Sequence, residues 1–224
     1  MKPQIVKIIR IEPVTHNVRR FKLQRPEGIS FIPGQAADIS INQPRWAEEK
    51  RPFTFTGLED WDHLEFTIKI YSDHDGVTKQ LGKLVPGDEL IIHDVFGAIH
   101  YAGEGVFIAG GAGVTPFIAI FRELEREKRI GNNALLFSNR TQADIILKDE
   151  FERMLGNNFV NTLTDEHTDR YDNRTIDAEF LKPWVKDRSR HFYICGPDPM
   201  VEGIKKALLG LGVDEGMIVI EQFS

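Results

Sequence analysis

Cysteine is almost missing from this chain: Cys195 is the only one in 224 residues. One thiol cannot form an internal disulfide. Nor can it supply a four-cysteine iron–sulfur cluster or a cysteine zinc cage from within the chain. Long apolar runs are missing too, since no stretch reaches the ~18 residues that a membrane-spanning helix requires. The first ten residues, Met1 to Arg10, carry charges through their apolar stretch and have no small-residue cleavage site. They do not read as a signal peptide, and a cytoplasmic protein is expected. Positive charge is in deficit: 28 lysines and arginines face 34 aspartates and glutamates, a net charge of −6. That balance argues against generic nucleic-acid binding. Internal repeats, low-complexity segments and linkers rich in proline, glycine or serine are also lacking.

What is present is the composition of a folded globular protein, 41% hydrophobic and 28% charged. Its length suits one large domain or two ordinary ones, at ~100–200 residues each. The two halves differ in periodicity. Ile5–Ile11, Val18–Leu23, Ala37–Ile41 and Leu64–Ile70 read as strands, several alternating apolar with polar residues as half-buried antiparallel strands do. Glu27-Gly28, Pro33-Gly34 and Pro86-Gly87 mark turns, and a short helix is expected from Val77 to about Leu84. Short strands at this spacing suggest a sandwich or barrel. Beyond residue 104 the pattern changes. Strand-like runs begin at Val106, Ala134, Asn158, His191 and Met217. Helix-like runs at Pro116–Arg129, Ala143–Leu155, Asp177–Val185 and Pro199–Leu211 lie between them. Such alternation implies a parallel sheet with helices on its faces. The expected architecture is an antiparallel barrel followed by a nucleotide-binding α/β domain, with the boundary near Tyr101–Glu104.

Five stretches carry candidate chemistry. Residues 110–116 read Gly-Gly-Ala-Gly-Val-Thr-Pro between a strand-like and a helix-like run. A glycine-rich turn of this kind brings backbone N–H groups up to a phosphate. The spacing Gly111-x-Gly113-x-x-Pro116 ends in proline where a dinucleotide fingerprint usually has glycine; proline suits the first turn of a helix. Arg51-Pro-Phe-Thr-Phe-Thr56 would put Arg51, Phe53 and Phe55 on one face of a strand and Thr54 and Thr56 on the other. Arginine's planar fork suits a phosphate. In Lys69–Leu81 a strand ends near Tyr71, turns through Asp75-Gly76, and gives way to a helix near Val77-Thr78, a second candidate anion site. Tyr193–Met200 would end a strand at Cys195 on the carboxyl edge of the sheet, where α/β folds bind ligands. At the C-terminus Glu221 and Phe223 follow an apolar strand. Each stretch has a plainer structural reading: an amphipathic strand, a helix cap, an inert buried thiol, a frayed tail.

In their order along the chain, the stretches resemble the ferredoxin–NADP reductase family of flavoenzymes, over essentially the whole chain. Phe31-Ile-Pro-Gly-Gln35 adds to the likeness, resembling that family's proline-glycine-glutamine turn. The resemblance implies a flavin-binding β-barrel over residues 1–102 and an NAD(P)-binding α/β domain over 103–224. Arg51 would hold a flavin phosphate and Phe53 would lie against the flavin, with Pro52 beside them. Thr54 would hydrogen-bond near flavin N5. Lys69, Ile70, Tyr71, Gly76, Val77 and Thr78 would add flavin contacts. Gly111, Gly113, Thr115 and Pro116 would cradle the nicotinamide nucleotide, and Ser138, Asn139 and Arg140 would meet its adenosine end. Cys195 and Gly196 would flank the nicotinamide. Glu221 would be a catalytic carboxylate alongside Thr54 and Cys195, and Phe223 the aromatic that shields the flavin. Phe53 stands where tyrosine is usual, and Asp94–Gly97 where many relatives have a glycine-proline turn.

The resemblance implies an NAD(P)H-dependent flavoprotein reductase with FAD favoured over FMN. Electrons would pass to a separate one-electron acceptor protein, flavodoxin or ferredoxin first, and the chain would act as a monomer. For the donor, Asn139-Arg-Thr-x-x-Asp144-Ile resembles the cytochrome b5 reductase branch, which puts NADH ahead of NADPH. Arg10, Arg19, Arg20, Lys22 and Arg25 could form a basic patch for an acidic partner, or simply a solvated strand face. The alternatives are an electron-transfer subunit of a larger complex and a non-enzymatic nucleotide-binding or sensor module.

Overall fold

A computed structural model describes residues 2–73, 75–97, 99–187 and 189–220. The chain divides into two units, Met1–His100 with Thr115–Glu123, and Tyr101–Val114 with Leu124–Ser224.

The first unit is a six-stranded antiparallel sheet. Its strands are β1 (Gln4–Pro13), β2 (Val18–Gln24), β3 (Ala36–Ile41), β4 (Arg51–Thr54), β5 (His63–Lys69) and β6 (Glu89–Phe96), in the order β4-β3-β6-β1-β2-β5. The sheet curls until its two ends meet. Phe55, just past β4, bridges Phe66 of β5, and the Thr56 N–H donates to the Glu65 carbonyl at 2.8 Å. Closure removes the exposed edges that an open sheet would present. Strand periodicity decides what goes inside. On β1, Val6 and Ile8 are buried while Ile5, Lys7 and Ile9 face out. The barrel centre holds Phe21, Leu23, Leu64 and Phe66, and Phe31 stacks on Phe55 at 3.9 Å between ring centroids. The strand-like runs of the N-terminal half are all found as strands. The sequence reading passed over β6, although Leu90 and Ile92 alternate with outward residues as an inward face should.

The helix α1 (Val77–Leu81) is shorter than expected. From Gln80 onward the N–H groups of Lys83 and Leu84 bond three residues back, so the chain tightens out of the α geometry. Val77 and Leu81 plug the barrel core.

The second unit is a six-stranded sheet paired in parallel throughout. Its strands are β7 (Gly105–Gly110), β8 (Ala134–Asn139), β9 (Phe159–Leu163), β10 (Asp172–Asn173), β11 (His191–Cys195) and β12 (Ile218–Ile220), in the order β10-β9-β8-β7-β11-β12. Its helices are α3 (Lys148–Leu155), α4 (Ala178–Leu181) and α5 (Asp198–Gly210), while α2 (Thr115–Arg126) follows β7 directly in the chain after one tight turn. Val106, Ile108, Leu136, Phe192 and Ile194 pack with Phe180, Leu181, Ile204 and Leu208 on one face. Three helices are shorter than their periodicity suggests, α2 ending at Arg126 before Lys128 takes a left-handed φ of 58°. Leu147 adopts a left-handed φ of 51°, which separates the turn at Gln142–Asp144 from α3. Pro183 follows α4 closely and cannot continue its hydrogen bonding. The short β10 had no apolar signal to reveal it. No helix among the described residues is long and apolar enough to cross a membrane.

Candidate functional site

In the second unit, strand order reverses at β7: the chain moves one way to β8 and β9, then returns to β11 on the other side. Parallel sheets open a crevice at such a reversal, beyond the carboxyl ends of the two strands. The residues there are Gly110–Val114 after β7 and Cys195-Gly196 after β11. Glycine is required at two of these positions for different reasons. Gly111 has φ +51°, and nothing lies within 4 Å of where its Cβ would be, so its need is conformational and the space beside it is open. A Cβ on Gly113 would sit 2.3 Å from the Cys195 carbonyl oxygen and 2.6 Å from Gly196 Cα. The two loops thus pack backbone against backbone. Thr115 opens α2 and Pro116 takes its second position, where a missing N–H costs no helical bond. Cys195 is buried.

The adenosine-end candidates lie at the tip of β8. Ser138 is half-buried beside Gly110 of β7 and Thr162 of β9. Asn139 is 5% exposed, and both its amide oxygen and nitrogen are buried without a hydrogen-bond partner. Arg140 is exposed and already engaged: its Nε donates to Asp165 Oδ2 at 2.6 Å. That hydrogen bond raises the Arg140 pKa further. Hydrogen bonds from Arg140 and then Thr164 hold the Asp165 carboxyl below the usual carboxylate range. The backbone fixes the pair, because Asp165 N donates to the Arg140 carbonyl at 2.9 Å and Thr164 N to the Asn139 carbonyl at 3.0 Å. Glu166 accepts from Gln142 N at 2.6 Å. The sequence reading overlooked Asp165 and Glu166. The signal was the acidic pair directly after the third parallel strand, on the same sheet edge as the glycine turn.

In the first unit, Arg51 and Pro52 are exposed at the start of β4, Phe53 is half-buried against the barrel core, and Thr54 is buried. Arg51 Nη1 donates to the Lys50 carbonyl at 2.6 Å, and Nη2 lies 3.5 Å from Glu49. Gln35 supports the strand's far end: its carbonyl accepts from Phe55 N at 3.0 Å and its side-chain oxygen from Ile32 N at 2.9 Å. Gly34 makes this turn possible, with φ +96° and the Ile99 carbonyl oxygen 2.1 Å from its would-be Cβ. At the end of β5, Lys69 Nζ lies over the ring of Tyr71, which is 42% exposed, and Ile70 N donates to the Asn17 carbonyl. Gly76 takes the N-cap position of α1 and makes no side-chain cap, so Thr78 is an early helix residue and not a cap. Val77 is buried in the core.

Of the two readings of the basic run, the solvated strand face is the one found for most of it. The arginines of the anticipated basic patch are largely paired: Arg10 and Arg20 with Glu12, Arg20 also with Glu65, and Arg25 with Glu59. Arg19 donates to the carbonyls of Thr15 and Val18. The carboxylate-paired Arg10, Arg20 and Arg25 belong to a solvated strand face. Glu221 and Phe223 lie outside the described residues.

These arrangements fit the groups that the sequence implies. The glycine turn with open space at Gly111 and the orphaned Asn139 amide suit a nucleotide, and an exposed arginine beside a half-buried phenylalanine suits a flavin phosphate and its attached ring system. Comparison with known proteins agrees. Residues 5–101 match the oxidoreductase FAD-binding domain model and residues 107–206 the oxidoreductase NAD-binding domain model. The chain is 30% identical over 225 residues to NADH-cytochrome b5 reductase 1 of Aspergillus terreus, covering 89% of this chain and 74% of that protein. It is 27% identical over 221 residues to the protein of the same name from Pyricularia oryzae, covering 89% and 71%. The fold matches a ferredoxin NADP+ reductase from Neisseria gonorrhoeae solved with FAD and NADP, at TM-score 0.82, 20% identity and 98% coverage of both chains. The chain therefore belongs to the ferredoxin–NADP reductase family, and it is an FAD-dependent, NAD(P)H-using oxidoreductase.

Proposed function

We propose that the chain takes electrons from NADH and passes them, through FAD, to a separate one-electron acceptor protein. Bound FAD would supply the redox chemistry, accepting two electrons from a nicotinamide and releasing them singly. The protein's part is to bind, orient and tune. Arg51 holds a flavin phosphate with its planar fork, supported by Gly76, Val77 and Thr78. Pro52, Phe53, Lys69, Ile70 and Tyr71 frame the ring system and its chain, and the Thr54 hydroxyl hydrogen-bonds near N5. Gly111, Gly113, Thr115 and Pro116 receive the nicotinamide nucleotide, Ser138 and Asn139 its adenosine, and Cys195 and Gly196 flank its nicotinamide. Glu221 is the proposed carboxylate for proton exchange and Phe223 the shielding aromatic; both roles rest on the sequence resemblance.

The observation that carries the choice of donor is the Arg140–Asp165 pair. An arginine at this edge could bind a 2′-phosphate. Here its fork is tied to a carboxylate that stays ionised at neutral pH, so a 2′-phosphate would meet Asp165 as well as Arg140. NADH has no such phosphate and meets no such penalty. Asp165→Ala should release Arg140 and raise kcat/KM for NADPH relative to NADH by roughly tenfold or more, the scale on which like-charge repulsion alters discrimination. An unchanged NADPH:NADH ratio in a folded variant would remove Asp165 from donor choice.

For the acceptor, flavodoxin or ferredoxin remains the first class, since a flavin relay is needed chiefly where electrons must leave singly. The likeness to cytochrome b5 reductases favours a second, a b5-type haem protein. Stopped-flow reoxidation of the NADH-reduced protein by each acceptor separates the two.

A further inference from the structure

The loop joining β3 to β4 carries an ion pair that the reading above leaves unused. Arg45 lies over the Trp46 ring at 4.9 Å, and its Nη2 donates to Asp75 Oδ2 at 3.0 Å. Trp46 is 9% exposed and belongs to the barrel core, so it is a fixed platform. Asp75 immediately precedes Gly76, Val77 and Thr78. A second tie runs alongside, from Gln80 of α1 to Gln43 of the same loop. The loop also carries Glu49, which pairs with Arg51.

Two carboxylates therefore stand beside the proposed phosphate-holding residues, each facing one arginine. The four charges Glu49, Arg51, Asp75 and Arg45 sum to zero. Without Arg45 the Asp75 carboxylate loses its paired arginine beside the place proposed for an anionic diphosphate. We propose that Arg45 is a positioning residue for the flavin: seated on Trp46, it cancels the Asp75 charge and so lets the Gly76–Thr78 turn accept the FAD diphosphate. This rests on the assignment of Arg51 and Gly76–Thr78 to flavin phosphate.

Both partners are largely exposed, 72% for Arg45 and 60% for Asp75. Such a pair adds little to folding, so its loss should leave thermal stability nearly unchanged. FAD affinity should respond. Arg45→Ala is expected to raise the FAD dissociation constant by about fivefold, the upper range for an exposed charge interaction. The effect should fade at ~1 M salt, where screening acts within about 3 Å. The decisive variant is Arg45→Ala with Asp75→Asn. If charge cancellation is the role, removing the unmatched carboxylate restores FAD affinity. If affinity stays low in the double variant, Arg45 acts on the flavin directly and the proposal is overturned. If Arg45→Ala binds FAD normally while Arg51→Ala does not, the proposal falls and the flavin reading stands. If Arg51→Ala also binds normally, it is the phosphate assignment that fails.

Discussion

Replacing Arg122 by alanine should destabilise the protein by about 1–3 kcal/mol, the cost of removing the hydrogen-bonded cation from a buried carboxylate that keeps only Arg20, 3.7 Å away. Glu65 on β5 has a side chain only 3% exposed, and Arg122 only 10%. Arg122 Nη1 donates to Glu65 Oε1 at 2.6 Å and to the Thr56 carbonyl at 2.7 Å, and its guanidinium lies over Trp61 at 5.4 Å. Glu65 also accepts from Thr56 Oγ1 at 3.0 Å, and Thr56 and Thr67 hydroxyls meet at 3.2 Å. The next cation, Arg20, stands 3.7 Å away and at an unfavourable distance for a hydrogen bond. It cannot replace Arg122 without moving. Against a total stability of about 5–15 kcal/mol, the loss is large. Urea unfolding would read it as a lower midpoint at unchanged slope. Glu65→Gln in the Arg122→Ala background should recover part of the loss, since the buried carboxylate that lacks its hydrogen-bonded arginine is then gone. A midpoint within error of the parent in Arg122→Ala would mean that the pair contributes nothing net.

Gly113→Ala should be the most damaging single methyl in the second unit. The added Cβ would lie 2.3 Å from the Cys195 oxygen and 2.5 Å from its carbonyl carbon. Both are backbone atoms, so no side-chain rotation relieves the clash. The loops after β7 and β11 must separate, with overpacking costs of about 1–3 kcal/mol or more. The predicted result is a rise in KM for NADH of at least about tenfold, on the view that misplacing a binding loop by ~1 Å costs on the order of a hundredfold. FAD affinity should change little. Gly111→Ala is the control: its methyl points into open space, and only the left-handed φ of 51° resists it, at about 1 kcal/mol or slightly more. Equal KM values for the two variants would contradict the close packing of the loops.

The legibility of this chain in its sequence followed the strength of local signals. Gly111 and Gly113 were visible because a phosphate turn needs glycine at fixed spacing between a strand and a helix. The alternation in Ile5–Ile11 was visible because one face of that strand is wet, and that in Leu64–Ile70 because its second face carries the polar Glu65 and Thr67, which are buried. Arg51 through Thr56 could be placed on a strand by its alternation of residue types, and Phe53 and Phe55 do pack inward. Contacts distant in sequence left no such trace. Asp165 meets Arg140 across 25 residues and Glu65 meets Arg122 across 57; the place of Asp165 after a strand was readable, but which arginine either carboxylate meets was not. The basic run from Arg10 to Arg25 left a patch and a solvated strand face both open for the mirror reason: its compensating acids include Glu59 and Glu65 on another part of the chain, as well as nearby Glu12. Helix lengths were overestimated where a backbone event intervened, as with Leu147 in a left-handed conformation inside an otherwise helical pattern.

The measurement closest to the central claim is anaerobic reduction of the FAD-loaded protein, followed by visible absorbance after adding NADH or NADPH in parallel. The account predicts that the flavin bands bleach rapidly with NADH, more slowly with NADPH, and return when a one-electron acceptor protein is added. A protein that binds FAD but is not reduced by either nucleotide, or one reduced faster by NADPH, would contradict it.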